Sequence, residues 1–148
     1  MTTIKPHHRE LVEAIASRDL TKARHLNETM PIEDRPAYAQ YLSAVFALLL
    51  EDFFKDNLSR DTISGFVKQL KEDFRNAEPP FRPLMVEGVI RASAGETDLY
   101  DELESEDIVS TQVMIIGKLG IQGSSVRPDL DNILNEAEAL VAEWEREQ

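Results

Sequence analysis

From Leu11 to Trp144 the apolar residues of this chain recur at intervals of three and four, the period of helix stripes. Nowhere do they hold the strict alternation that marks a half-buried strand. A chain patterned in this way builds a core by laying helix faces against one another, so the expected fold class is all-α, a compact bundle with short connections.

Leu11, Val12 and Ile15 predict a short first helix after Pro6, and Leu20, Ala23, Leu26 and Met30 predict a second. Asp19 is placed to cap the second, because its carboxylate can accept from the free amides of the first turn. The two form an αα-hairpin over residues 1–30. Residues 14–31 resemble one unit of a tetratricopeptide-type repeat, with small and large apolar residues alternating across the turn. No second copy follows at the period of about 34 residues, and a solenoid needs about three units, so one hairpin is expected.

Pro31 and Pro36 interrupt helix by removing amide donors. Tyr38, Tyr41, Leu42, Val45, Phe46, Leu49 and Phe53 then make one stripe, which Leu48, Leu50 and Phe54 widen around most of the circumference. A helix apolar on nearly every side belongs in the middle of a bundle. Ser59 or Asp61 caps a further helix carrying Ile63, Phe66, Val67, Leu70 and Phe74. After Pro79 and Pro80 the pattern resumes through Phe81, Leu84, Met85, Val89 and Ala92, with Gly88 on the same face and expected to admit a close helix neighbour.

A short turn is read through Leu99, Tyr100 and Leu103, and Ser105 is placed to cap a helix of Ile108, Val109, Val113, Ile115, Ile116 and Leu119. Gly120 and Gly123 should stop that helix. Pro128 suits the first position of a last one, which carries Leu130, Ile133, Leu134, Ala137, Val141 and Trp144. The expectation is therefore six or seven helices in a single domain over 1–148. It divides into an N-terminal hairpin (1–30) and a main bundle (36–148) built around the central apolar helix.

Charge is distributed unevenly. Residues 1–95 carry 13 Lys and Arg against 14 Asp and Glu, and residues 96–148 carry 3 against 14, within a chain of net charge −12. Such a field attracts basic surfaces and repels phosphates, which argues against nucleic acid as a ligand. The 42% hydrophobic fraction is that of a foldable chain, so the acidity overlies a core rather than replacing one. The absence of cysteine excludes disulfides, thiolate metal sites and cysteine nucleophiles. The opening MTTIKPHHRE is too polar for a signal peptide, and the uncharged stretch from Pro36 to Leu50 is short of the roughly 20 residues of a spanning helix. A cytoplasmic protein without a membrane segment is expected.

The densest acidic segment holds Glu96, Asp98, Asp101, Glu102, Glu104, Glu106 and Asp107. A calcium loop of the EF-hand kind needs glutamate at its twelfth position. Counting from Asp98, Asp101 or Asp129, the twelfth residue is Val109, Gln112 or Leu140, so all three fail. The glycines of residues 117–125 follow neither the dinucleotide nor the P-loop spacing. His7 and His8 are neighbours, set about 100° apart on a helix, and the four-residue interval that puts two ligands on one face is missing. Together with His25 they are expected to be exposed and without a ligand role, and no metal or cofactor is expected. No serine elbow is present, and no carboxylate pair sits in an identifiable apolar pocket.

The functional expectation is a non-enzymatic acidic helical protein that binds another, basic, protein through its C-terminal third. Asp98, Asp101, Glu102 and Glu104 would supply the charge, with Trp144 or the Tyr38–Phe54 neighbourhood as an apolar anchor. A helical small-molecule binder with an apolar cavity lined by Phe46, Phe66, Met85 and Met114 is the alternative, as is a self-assembling structural protein or homo-oligomer.

Overall fold

The computed structural model describes residues 4–55, 57–77, 80–121 and 130–146. Seven α-helices and two 3-10 helices follow one another, and no strand occurs among the described residues. They are α1 (Pro6–Ala16), α2 (Leu20–Thr29), η1 (Ile32–Asp34), α3 (Arg35–Phe54), α4 (Arg60–Asp73), α5 (Pro83–Ser93), η2 (Thr97–Glu102), α6 (Ser105–Ile121) and α7 (Leu130–Arg146). The all-α class is as expected. The count of six or seven is not, because two short 3-10 segments add to it: η1, which has too few turns to show a stripe, and η2, where the sequence is read only as a turn. No described helix is long and apolar enough to cross a membrane.

The residues gather into two compact units, Met1–Phe53 with Gln112–Gln148, and Phe54–Thr111. In the first, α1 starts with Pro6 at its first position, where a missing amide costs nothing. It buries Leu11, Val12 and Ile15. It ends in a Schellman turn: the Arg18 amide donates to Ile15 O (3.1 Å) and the Asp19 amide to Ala14 O (2.9 Å). Arg18 takes a left-handed φ of 58° there, a position that usually favours glycine. Asp19 then caps α2 by accepting from the Lys22 amide at 3.2 Å, as its place in the sequence suggests.

α2 packs on α1 yet buries no residue fully. Ala23 and Leu26 are half-buried and Leu20 is exposed, so the second stripe is only partly covered. In contrast, α3 buries Tyr38, Tyr41, Leu42, Val45, Phe46, Leu49 and Leu50. The Tyr41 hydroxyl donates to Leu134 O of α7 at 3.4 Å, which gives a polar tip in an apolar setting its partner. Burial pushes the Tyr38 phenol up to about 12 and that of Tyr41 higher still. α7 buries Ile133, Leu134, Ala137 and Val141, the stripe read from the sequence. Arg9 of α1 reaches this helix, with Asn135 Oδ1 at 2.7 Å and Asp131 Oδ1 at 3.3 Å.

In the second unit, Ser59 caps α4 by accepting from the Thr62 amide at 3.2 Å. Ile63, Val67 and Leu70 form the buried face of α4, and Phe54 meets Phe66 edge to face at 5.2 Å. The face expected of α5 holds at Val89 and Ala92 and is corrected at Leu84. Val86, Val89, Ile90 and Ala92 are buried, whereas Leu84 is 83% exposed. The expected stripe was phased from Phe81, but Phe81 precedes the helix, which begins only at Pro83. Gly88 faces Leu103, whose methyl lies 3.6 Å from where a Cβ would stand, so its neighbour is a loop side chain rather than a helix. α6 runs on to Ile121, past Gly120. The expected stop at Gly123, the glycine loop beyond residue 121 and the Pro128 start lie outside the described residues.

Candidate functional site

Two groups of titratable residues stand out, one in each unit. The first joins the start of α1 to η1. Pro6 at the first helical position makes Lys5 the N-cap and His8 the third helical residue. From there the His8 ring folds back so that Nδ1 accepts from the Lys5 amide at 2.9 Å. The side chain thereby satisfies a backbone donor that the helix cannot. An acceptor at Nδ1 places the ring proton on Nε2, which donates to the Asp34 carbonyl oxygen at 3.1 Å. His8 is wholly buried. Its burial first, and then the nearby His7, hold its pKa below the ordinary 6.5, so the ring is neutral.

The Asp34 carboxylate is also buried. Its Oδ1 accepts from Lys5 Nζ at 2.8 Å, and this bond is the main cause holding its pKa below the usual range. His7 Nε2 stands 3.2 Å from Asp34 Oδ2 without the angle of a hydrogen bond. The rings of His7 and His8 are 4.5 Å apart.

His7, His8 and Asp34 bring donor atoms of metal-ligand type within 4.8 Å of one another. The chemistry of that donor set does not fit an ion. Both nitrogens of His8 are engaged by backbone groups, and freeing either would uncap α1 or strand a buried carbonyl. The Lys5 ammonium already supplies the cation that Asp34 needs. The arrangement is a neutral, hydrogen-bonded joint.

These findings correct the expectation of exposed histidines for His7 and His8, since His8 is buried and His7 half-buried; only His25 lies at the surface. The 100° between neighbours does not keep the two rings apart, because His8 turns back toward the cap. Lys-Pro-His-His was a legible signal for that cap, since proline at the first position fixes which residue sits at the third. Nothing in the sequence pointed to Asp34, which lies 26 residues further on.

The second group is the acidic edge of the other unit. Asp98, Asp101 and Glu102 on η2, with Glu104 and Glu106 beyond it, are exposed, and none has a hydrogen-bonded or ionic side-chain partner among the described residues. Two members of the same acidic run differ. Glu96 is held by Arg91 (2.7 Å) and Arg60 (2.7 Å), whose hydrogen bonds draw its pKa down to about 2. Asp107 meets Arg82 at 3.3 Å.

η2 packs along α5, with Glu96 on Arg91 and Leu103 on Gly88. Leu84 lies one turn before Gly88 on the same face. Leu84 is the most exposed large apolar side chain among the described residues of the unit, and it lies on the helix along which η2 packs, two residues after the Arg82 that meets Asp107.

Of the residues assigned from sequence, Asp98, Asp101, Glu102 and Glu104 fall together on this edge. Trp144 is half-buried on α7 and belongs to the other unit. The Tyr38–Phe54 neighbourhood is no surface anchor, because Tyr38, Tyr41, Leu42, Val45 and Phe46 are interior. The apolar residue that sequence reasoning missed is Leu84, counted there as core.

No family model, curated protein or solved structure matches this chain.

Proposed function

We propose that this protein acts by binding rather than by catalysis, and that it takes a basic segment of another protein on the acidic edge of the Phe54–Thr111 unit. The observation that carries this reading is a run of exposed carboxylates, Asp98, Asp101, Glu102 and Glu104, with no side-chain partner among the described residues, on a segment packed along the helix that carries the exposed Leu84. Unpaired like charges raise the local field and speed encounter with a basic surface, while a desolvated apolar side chain slows departure. What favours binding over catalysis is the state of the other titratable group: His8, the best-shielded candidate base, has both nitrogens engaged by backbone.

The test is fluorescence anisotropy of the full chain with a labelled amphipathic peptide of lysine and leucine, and with a glutamate and leucine control. Binding of the basic peptide alone, falling away by ~0.5 M salt, is expected. Neutralising Asp98, Asp101, Glu102 and Glu104 together (to Asn or Gln) should weaken it about tenfold at low salt. Leu84→Ser should raise the dissociation rate. Binding that neither variant changes, or no binding at low salt, would overturn the assignment.

A further inference from the structure

The His8 joint has a property that goes beyond partner binding and lies in the other unit. Every bond in it depends on one protonation state. In the neutral ring Nδ1 is an acceptor and Nε2 a donor, and the backbone supplies the complements, the Lys5 amide and the Asp34 carbonyl. A second proton goes onto Nδ1 and turns the acceptor into a donor that faces the Lys5 amide, another donor. We propose that His8 is a pH-sensitive latch, and that mild acid releases the first turn of α1 from η1 by removing its N-terminal cap.

The charged neighbours reinforce this. From the N-cap and α1, Lys5 and His7 face the ring; from η1, Asp34 does. Among the described residues Asp34 is the counter-charge at hand for an imidazolium, and Lys5 already occupies its Oδ1. The His7 ring stands 4.5 Å from the His8 ring, and its nearness disfavours a charge on His8. The buried ring is out of reach of solvating water. The charged ring is accommodated only by leaving the joint, and when it leaves, the Lys5 amide is again one of the free donors of the helix end.

The sign follows from the same geometry. An unfolded chain protonates His8 at about 6.5, whereas the folded joint holds it neutral to lower pH. The unfolded or opened state therefore binds more protons in that interval. The latch is fully closed above about 6.5 and weakens as pH falls below it.

The experiment is amide hydrogen exchange on the full chain between about pH 7.5 and pH 5, corrected for intrinsic rates, with nitrogen-detected NMR of the histidine rings. Protection of the first turns of α1 should fall by up to about tenfold for each pH unit below that point, the limit for one linked proton. Amides of α4 should keep theirs. The conservative variant His8→Asn keeps an acceptor near Nδ1 but cannot be charged, and should abolish the pH dependence; His7→Gln should retain it. The same pH dependence in His8→Asn, or flat protection in the wild type, would overturn the latch. Should His8→Asn fail to fold, the wild-type ring alone decides. At about pH 7.5 its proton must sit on Nε2, and finding it on Nδ1 overturns the proposal.

Discussion

The start of α1 and the acidic edge on η2 are both crowded with ionisable side chains, and they use them in opposite ways. Around His8 the charges balance and the two ring nitrogens meet backbone complements in a buried setting. Along η2 the carboxylates Asp98, Asp101 and Glu102 share one sign, lie in solvent and meet no side-chain partner among the described residues. The first arrangement stabilises the fold, because a buried polar group is costly to leave alone and its bonds are therefore retained. The second adds little to the fold, since exposed charges interact weakly through water.

That contrast can be broken most directly by deleting its buried half. His8→Ala leaves the Asp34 carbonyl unpaired in the interior and the Lys5 amide without its cap, and should lower stability by about 1–3 kcal/mol in urea unfolding at about pH 7.5. A loss below the error of the measurement would mean the joint is ornamental.

Between the two extremes lies Glu96, an acidic-run member that has found partners in Arg91 and Arg60. Its folded pKa is depressed from the ordinary 4.5 to about 2, so its contribution is present above 4.5 and fades as pH falls toward 2. Urea midpoints should decline across that acid range in the wild type and decline less in Glu96→Gln. This window lies below that of His8, so the two can be read separately in one pH series. Neutralising Asp98, Asp101, Glu102 and Glu104 together should have the smallest effect on folding, within about 0.5 kcal/mol, whatever it does to binding. A large destabilisation would show that those side chains belong to the fold after all.

Much of the fold was readable because helices announce themselves locally. Asp19 and Ser59 cap the helices they precede, and the buried residues of α4 and α7 are those their stripes predict. Reading failed where a local pattern had two phasings. Phe81 and Leu84 continue an apolar run in sequence, but the helix begins between them, and a few residues of offset turn Leu84 from core to surface. The acidic edge was legible as charge. The exposure of Leu84 was not, for that same reason.

The sequence by itself determined the helical class, most of the helix faces and the placing of acidity on one segment, since each depends on residues within a turn or two of one another. Only the tertiary structure decided which polar residues are spent and which are free. His8 looks like any surface histidine until Asp34, 26 positions away, closes over its ring, and Glu96 looks like its acidic neighbours until Arg60 arrives from α4. Pairing over such distances is set by how helix faces pack, and the linear order of residues carries no local signal of it.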